Sequence, residues 1–209
     1  MKTKINYTLY LVTDRDLMST KTLQEAVEQA ITGGCTVVQL REKTASSRDF
    51  YETALSVKAV TDRYNVPLLI NDRADIAMAI DAAGVHVGQS DLPAAIVRKI
   101  MGEGKIVGVS ANSVERAVQA QRDGADYIGV GALYSTSTKA DTKPVTREML
   151  MEIRKAVTIP IVGIGGINAK NAGQLRDTGI DGIAVVSAII SQKNIEDSAR
   201  RLLGIFRDE

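Results

Sequence analysis

PIVGIGGINAKNAGQLRDTGIDGIAVVSAI, residues 160–189, is the stretch that decides the fold. It opens on an apolar, β-branched run at 160–164, turns through Gly165-Gly166, and continues as an amphipathic segment at 169–178. Gly179 ends that segment, and a second apolar run follows at 182–186. A strand, a covering helix and a second strand in so few residues describe a βαβ unit, whose strands run parallel because the crossover carries the chain back to its starting edge.

The same alternation extends upstream to the first residues. Apolar runs at 9–13, 37–41, 68–71, 84–87, 105–110 and 127–130 bring the expected strands to eight. Amphipathic stretches near 22–32, 46–64, 73–81, 93–101, 113–123 and 147–157 separate them, and a last one at 194–207 closes the chain. In the first, Leu23, Ala26, Val27, Ala30 and Ile31 share one helical face, while Gln24, Glu25, Glu28 and Gln29 lie outside it.

An internal echo supports a closed arrangement. DGADYIGV (123–130) and TGIDGIAV (178–185) each set a helix-ending glycine just before a strand, with Gly124 and Gly179 two βα units apart. A doubly wound open sheet uses the same alternation. Eight units and a glycine pair after the seventh strand point instead to a (β/α)8 TIM barrel, built as one domain over residues 1–209. Both folds place function at the carboxyl ends of the strands.

Composition narrows the function classes. The 209 residues carry 26 Lys and Arg against 25 Asp and Glu, so no bulk charge draws the chain to nucleic acid or to an acidic membrane surface. The apolar run before Asp14 is too short for a signal sequence or a membrane span, and a cytoplasmic location is expected. Cys35, the only cysteine, permits neither an internal disulfide nor a thiolate metal cluster, and its place at the start of a buried strand reads as inert. Apolar residues such as Ile76, Met78 and Ile80 leave a homo-oligomer possible.

The strand ends hold the chemistry. After the seventh and eighth strands, Gly165-Gly166 and Ser187 offer backbone N–H groups to one anion, where barrel enzymes often hold a phosphate; a tight turn and a helix cap are the plainer reading. Arg41 and Lys43 alternate with Glu42, so both cations leave the second strand on one side and suit a polyanion, unless they belong to a solvated loop. Asp72 and Asp91 end the third and fourth strands. Neighbouring carboxylates repel unless a cation lies between them, and magnesium suits a pair completed by water and phosphate oxygens; each aspartate also stands where it could cap a helix.

His86 is the single histidine and sits inside a strand, where a packed, hydrogen-bonded role is expected. With no Ser–His or Cys–His pair in view, nucleophilic acyl chemistry is disfavoured. The long polar loop 131–146, with Lys139 and Lys143, suits a lid over phosphates.

LYLVTD (9–14), QLREK (39–43), NDR (71–73), GVHVGQSD (84–91), GVS (108–110), GADYIGVG (124–131), TSTK (136–139), VGIGGI (162–167) and VVSAI (185–189) together resemble the ordered motifs of the thiamine phosphate synthase family. That family joins a hydroxymethylpyrimidine diphosphate to a thiazole phosphate and releases pyrophosphate. The resemblance implies that Gln39, Arg41, Lys43, Asn71 and Lys139 hold the pyrimidine diphosphate, with Ser110 beside the pyrimidine or its leaving group. Leu40 and Glu42 inside QLREK, and Ser137 inside TSTK, go with them as substrate-binding residues. Asp72 and Asp91 match the ligands of Mg2+, and Thr136, Thr138, Gly166, Val186 and Ser187 match the thiazole phosphate site. Arg41, Lys43, Ser110 and Lys139 are the expected catalytic set, serving a dissociative substitution in which pyrophosphate departs before the thiazole nitrogen attacks.

The chain departs from the family pattern at Gly131-Ala132-Leu133, where a proline is common, and after Lys139, where a frequent glycine is missing. A thiazole tautomerase on the same barrel, a phosphosugar isomerase and a non-catalytic precursor-binding barrel remain as alternatives. The tautomerase needs no diphosphate site, and the isomerase needs an acid/base pair and no metal.

Overall fold

Each apolar run forms a four- to six-residue parallel strand, and an amphipathic segment covers it from outside. The structure, a computed structural model, describes residues 5–135 and 144–208. The strands are β1 (Leu9–Val12), β2 (Val37–Leu40), β3 (Leu68–Asn71), β4 (Gly84–Val87), β5 (Ile106–Ala111), β6 (Tyr127–Val130), β7 (Ile161–Ile164) and β8 (Gly182–Val185). They pair in chain order, and β8 returns to β1 through Leu9↔Ile183, Tyr10↔Ala184 and Leu11↔Val185, which closes the barrel and excludes the open sheet.

The helices are α1 (Leu23–Thr32), α2 (Ser47–Arg63), α3 (Ala74–Ala79), α4 (Ala94–Met101), α5 (Val114–Arg122), α6 (Arg147–Ala156), α7 (Ser187–Ile190) and α8 (Ile195–Arg207). Five of them start where a short polar side chain takes up an orphan N–H: Thr22, Ser46, Ser113, Thr146 and Asn194 each accept from the residue three positions on. The helix expected at 169–178 is instead a 3-10 segment, Ala172–Thr178. Asn168 and Asn171 explain the late start, because their side-chain oxygens accept from the N–H groups of Lys170 and Asn168 and hold a turn there.

Period-two alternation sorts strand side chains into two cores. Leu9, Leu11, Val38, Leu40, Ile70 and Val85 pack outward against the helices, whereas Tyr10, Val12, Val37, Leu69, Tyr127 and Val162 fill the lumen. Of the apolar residues on α3 and just after it, Ile76 and Ile80 are buried and Met78 is exposed. Burial raises the Cys35 thiol pKa well above its ordinary value, which keeps it unreactive.

The sequence echo proves to be a repeated latch at the amino-terminal end of the barrel. Asp126 accepts from Val107 N–H of β5 and pairs with Arg98 of α4; Asp181 accepts from Ile161 N–H of β7 and pairs with Arg154 of α6. Each arginine also donates to carbonyls that follow its helix, Gly102 and Lys105 for Arg98 and Val157 and Ile159 for Arg154. Gly124 and Gly179 stand beside these arginines, and a Cβ at either would meet the arginine Cγ at 3.2 Å.

The lumen also depends on a missing side chain. A Cβ on Gly108 would lie 2.2 Å from Cζ of Tyr127, whose ring is fully buried. Gly108→Ala is therefore expected to destabilise the fold by about 1–3 kcal/mol through overpacking. Chemical denaturation would read this as a lower midpoint; an unchanged midpoint would mean that the tyrosine has room to shift.

Candidate active site

Every strand delivers its last inward residues to one mouth, and there a cavity of about 500 Å³ opens. Its wall includes Gln39, Arg41 and Lys43 from β2 and the residues after it, Asn71 and Asp72 from the end of β3, Asp91 after β4, Ser110 from β5, Gly166 after β7, and Val186 and Ser187 after β8. Residues distant in sequence thus share one space.

Alternation decides which parts of QLREK reach it. Leu40 and Glu42, expected from the sequence among the binding residues, are set apart by the structure. The Leu40 side chain is fully buried between sheet and helices, and Glu42 turns aside to an ion pair with Arg15 at 3.0 Å. Arg41 is held by its N–H to Thr13 Oγ1 at 3.1 Å and by Asp14 at 3.5 Å. Thr136, Ser137, Thr138 and Lys139, and Lys143 beyond them, lie outside the described residues.

The two aspartates do not cap helices. Arg73 and Pro93 occupy the positions before α3 and α4, and neither end has a side-chain cap. Asp72 holds a left-handed backbone (φ 64°), a conformation uncommon for any residue but glycine, and its N–H donates to the His86 carbonyl at 2.8 Å. Its carboxylate forms an ion pair with Lys43. Asp91 accepts from Gly88 N–H at 2.7 Å, which closes the turn after β4.

Burial raises the Asp91 pKa first, and the neighbouring Asp72 carboxylate raises it further, against the opposing pull of Gly88 N–H and Lys43. Two acids at the ends of adjacent strands therefore share one negatively charged spot facing the cavity. Among the described residues no group of three or more His, Cys, Asp or Glu side chains is placed to hold a metal ion, and Asp72 and Asp91 are the acidic side chains on the cavity wall.

The glycine pair adopts the positive φ that L side chains resist, 98° at Gly165 and 67° at Gly166. Both make room for residues 132–135, since a Cβ would come within 2.6 Å of Ala132 and 2.5 Å of the Ser135 carbonyl. Asn168 and Asn171 donate to the Gly166 carbonyl, each at 3.0 Å, which fixes its peptide orientation. The Gly166 N–H is taken up by no described residue. Ser187 caps nothing: it is the first residue of α7, behind Val186.

Sequence reasoning gave no site role to part of the wall. Tyr10, Tyr127 and His86 line the inner end of the cavity, and Arg116 and Gln89 its rim. Arg116 had a signal, since a cation in the first turn of a helix opposes the helix dipole and asks for another purpose. Tyr10 and Tyr127 lie inside apolar runs that read as strands, and only closure of the barrel brings them together.

A family model for thiamine monophosphate synthase matches residues 9–189, which span all eight strands and every strand end described above. The chain belongs to that family. The thiamine-phosphate synthase of Ruminiclostridium cellulolyticum is 73% identical over 206 residues, covering 99% of this chain and 98% of that one. That of Clostridium botulinum is 63% identical, covering 97% and 95%. Among solved structures, the thiamine phosphate pyrophosphorylase of Pyrococcus furiosus superposes with a TM-score of 0.90 at 37% identity, covering 97% of this chain and 96% of its own. In this member of the thiamine monophosphate synthase family, no helix of the described residues is long and apolar enough to cross a membrane.

The raised Asp91 pKa has a consequence for stability. A carboxyl with a raised folded-state pKa destabilises the fold when ionised, and the cost vanishes as pH falls below the unfolded carboxylate range. Asp91→Asn, which can still accept from Gly88, is expected to raise the thermal midpoint of chelator-treated protein at neutral pH and to leave it unchanged well below about pH 4. An equal gain at both pH values would place the effect outside the carboxylate pair.

Proposed function

We propose that this protein condenses 4-amino-2-methyl-5-(diphosphooxymethyl)pyrimidine with 4-methyl-5-(2-phosphooxyethyl)thiazole, giving thiamine phosphate and pyrophosphate, with Mg2+ held at Asp72 and Asp91. One observation carries the reading: Asp72 and Asp91, close enough that Asp72 adds to the rise that burial gives the Asp91 pKa, share a cavity wall with Lys43 and Arg41. With acids on one arc of the wall and cations on the next, Asp72 and Asp91 would hold a divalent ion while Arg41 and Lys43 would attract a diphosphate. The likeness to thiamine-phosphate synthases of 73% and 63% identity supports the same substrates.

In the reaction, the bond between the pyrimidine methylene carbon and the diphosphate oxygen breaks, and its electron pair leaves with pyrophosphate. The thiazole nitrogen lone pair then forms the new carbon–nitrogen bond, leaving a thiazolium. No proton need be removed, so positioning and charge stabilisation outweigh general base catalysis. Bound magnesium supplies Lewis-acid neutralisation of the departing anion.

The protein's own groups do the rest. Arg41, Lys43 and Lys139 attract the diphosphate and stabilise its growing charge, and Asn71 and Gln39 orient the pyrimidine half. Ser110 stands at the ring or its leaving group. Gly166 N–H, with Val186, Ser187, Thr136 and Thr138, receives the thiazole phosphate and aims its nitrogen at the methylene carbon. A thiazole tautomerase has no use for the Arg41, Lys43, Asp72 and Asp91 set, and their convergence favours the synthase.

Pyrophosphate release is expected only when both substrates and magnesium are present, with the rate reduced about 10²-fold or more by Asp72→Ala and by Lys139→Ala. A coupled pyrophosphate assay would measure it. Full activity after chelation would discard the metal site, and tight precursor binding without turnover would leave a binding barrel.

A further inference from the structure

Across the inner end of the cavity runs a continuous chain of side-chain hydrogen bonds whose three middle members, Tyr10, Tyr127 and His86, the reaction as described does not use. Gln39 Nε2 donates to Tyr10 Oη at 2.7 Å, Tyr10 Oη meets Tyr127 Oη at 2.9 Å, Tyr127 Oη meets His86 Nδ1 at 2.8 Å, and His86 Nε2 meets Ser110 Oγ at 2.9 Å. Five of the eight strands contribute, so the chain exists only because the barrel closes. Gly108 and Gly129 give it space. Beyond the Gly108 clearance, a Cβ on Gly129 would stand 3.1 Å from His86 Cε1.

The polarity of the chain follows from counting protons. Tyr10 and Tyr127 are fully buried, and each hydroxyl has one proton to give. Tyr10 already accepts from Gln39, so its own proton goes to Tyr127. Tyr127 then gives its proton to His86 Nδ1, because no other acceptor among its described hydrogen-bond partners remains and an unsatisfied buried hydroxyl is costly. His86 is thereby the neutral Nε2–H tautomer and donates to Ser110 Oγ.

The two ends of the chain face the cavity, and their roles are now fixed. Ser110 accepts from His86, so its hydroxyl proton is left to point outward. Gln39 has its Nε2 committed to Tyr10, while its Oε1 has no partner among the described residues. Among the described residues no fully buried side-chain N or O lacks a partner, so that oxygen is open to the cavity.

We propose that Tyr10, Tyr127 and His86 are positioning residues that hold Ser110 as a donor and Gln39 as an acceptor, so that the inner wall selects a ring presenting a donor and an acceptor together. An aminopyrimidine does this with its amino group and ring nitrogen. The proposal rests on the synthase reading for the identity of that ring. The tautomer of His86 does not depend on it. A simple packing role for the tyrosines would impose no tautomer on the histidine and no direction on Ser110.

Because His86 is the only histidine, its imidazole nitrogens are the only ones in the chain. Long-range ¹H–¹⁵N correlation spectra of the uniformly ¹⁵N-labelled full chain are expected to show the Nε2–H tautomer at neutral pH. In Tyr127→Phe, which keeps the ring and removes the hydroxyl, the Nδ1 partner is lost and the signals should move toward a tautomer mixture while the circular dichroism spectrum is retained. Steady-state kinetics on the same variant should show kcat/KM for the pyrimidine diphosphate lowered about tenfold, the effect of one lost buried hydrogen bond, with KM for the thiazole phosphate unchanged.

A predominant Nδ1–H tautomer or an imidazolium in the unsubstituted protein would overturn the relay, as would a Tyr127→Phe variant with an unmoved histidine or undiminished use of the pyrimidine substrate. If Tyr127→Phe loses its fold, Tyr10→Phe serves instead: removal of the Gln39-to-Tyr127 link should relax the tautomer preference and lower pyrimidine use, and an unaltered spectrum and kcat/KM would refute the proposal. An Nε2–H histidine in a protein that makes no thiamine phosphate would sink the synthase reading and leave the relay standing.

Discussion

The ladder between β8 and β1 is the constraint on which the rest depends. Pairing of Tyr10 with Ala184 brings the two ends of the chain together and turns eight separate strands into a ring. In an open sheet, Gln39 and Ser110 would stand three strands apart on a surface that helices cover. In the ring they look into one lumen, and the same closure gives the strand ends a common mouth. Parallel strands make this possible, because every carboxyl end emerges on the same side.

Two ends of the barrel then serve opposite purposes. At the amino-terminal end, Asp126 and Asp181 are each bound to an arginine and to a backbone N–H of the preceding strand, so their charges are neutralised locally and the helices are tied to the sheet. At the mouth, Asp72 and Asp91 are left close together, and among the described residues Lys43 and the Gly88 N–H offset them. Acids crowded together at the mouth, against acids each paired singly at the base, are the charge pattern on which the proposed metal site rests. The left-handed backbone of Asp72 lies at the same place, held by its N–H bond to the His86 carbonyl.

The lumen is not a simple apolar plug. Tyr7 packs at a tilt against Tyr127, with ring centroids 4.7 Å apart, at the base, while the Tyr10 and Tyr127 hydroxyls continue into His86 and Ser110. Buried networks of this kind are stable only when fully satisfied, and here the two ends of the network are the very groups that meet the cavity. Packing and recognition are thus performed by the same side chains.

Much of this architecture is legible in the sequence. Eight apolar runs, short polar caps such as Ser46 and Thr146, and the glycines that end helices are local signals, governed by backbone geometry and solvent, and they survive in linear form. So do the alternating Arg41 and Lys43, because strand periodicity is local too. Less legible were the 3-10 segment at Ala172–Thr178, where asparagine turns override amphipathic pattern, and the separation of Leu40 and Glu42 from the cavity.

What only the tertiary structure decided is long-range by nature. The echo around Gly124 and Gly179 announced a repeat, but that Asp126 and Asp181 latch onto Arg98 and Arg154 depends on helices packing across the base. Tyr10, Tyr127 and His86 each have an apolar-strand context that reads as core. Their hydroxyls and imidazole become one proton-ordered chain only when β1, β4 and β6 face a shared interior, and that facing is a property of the closed ring, written in no single segment.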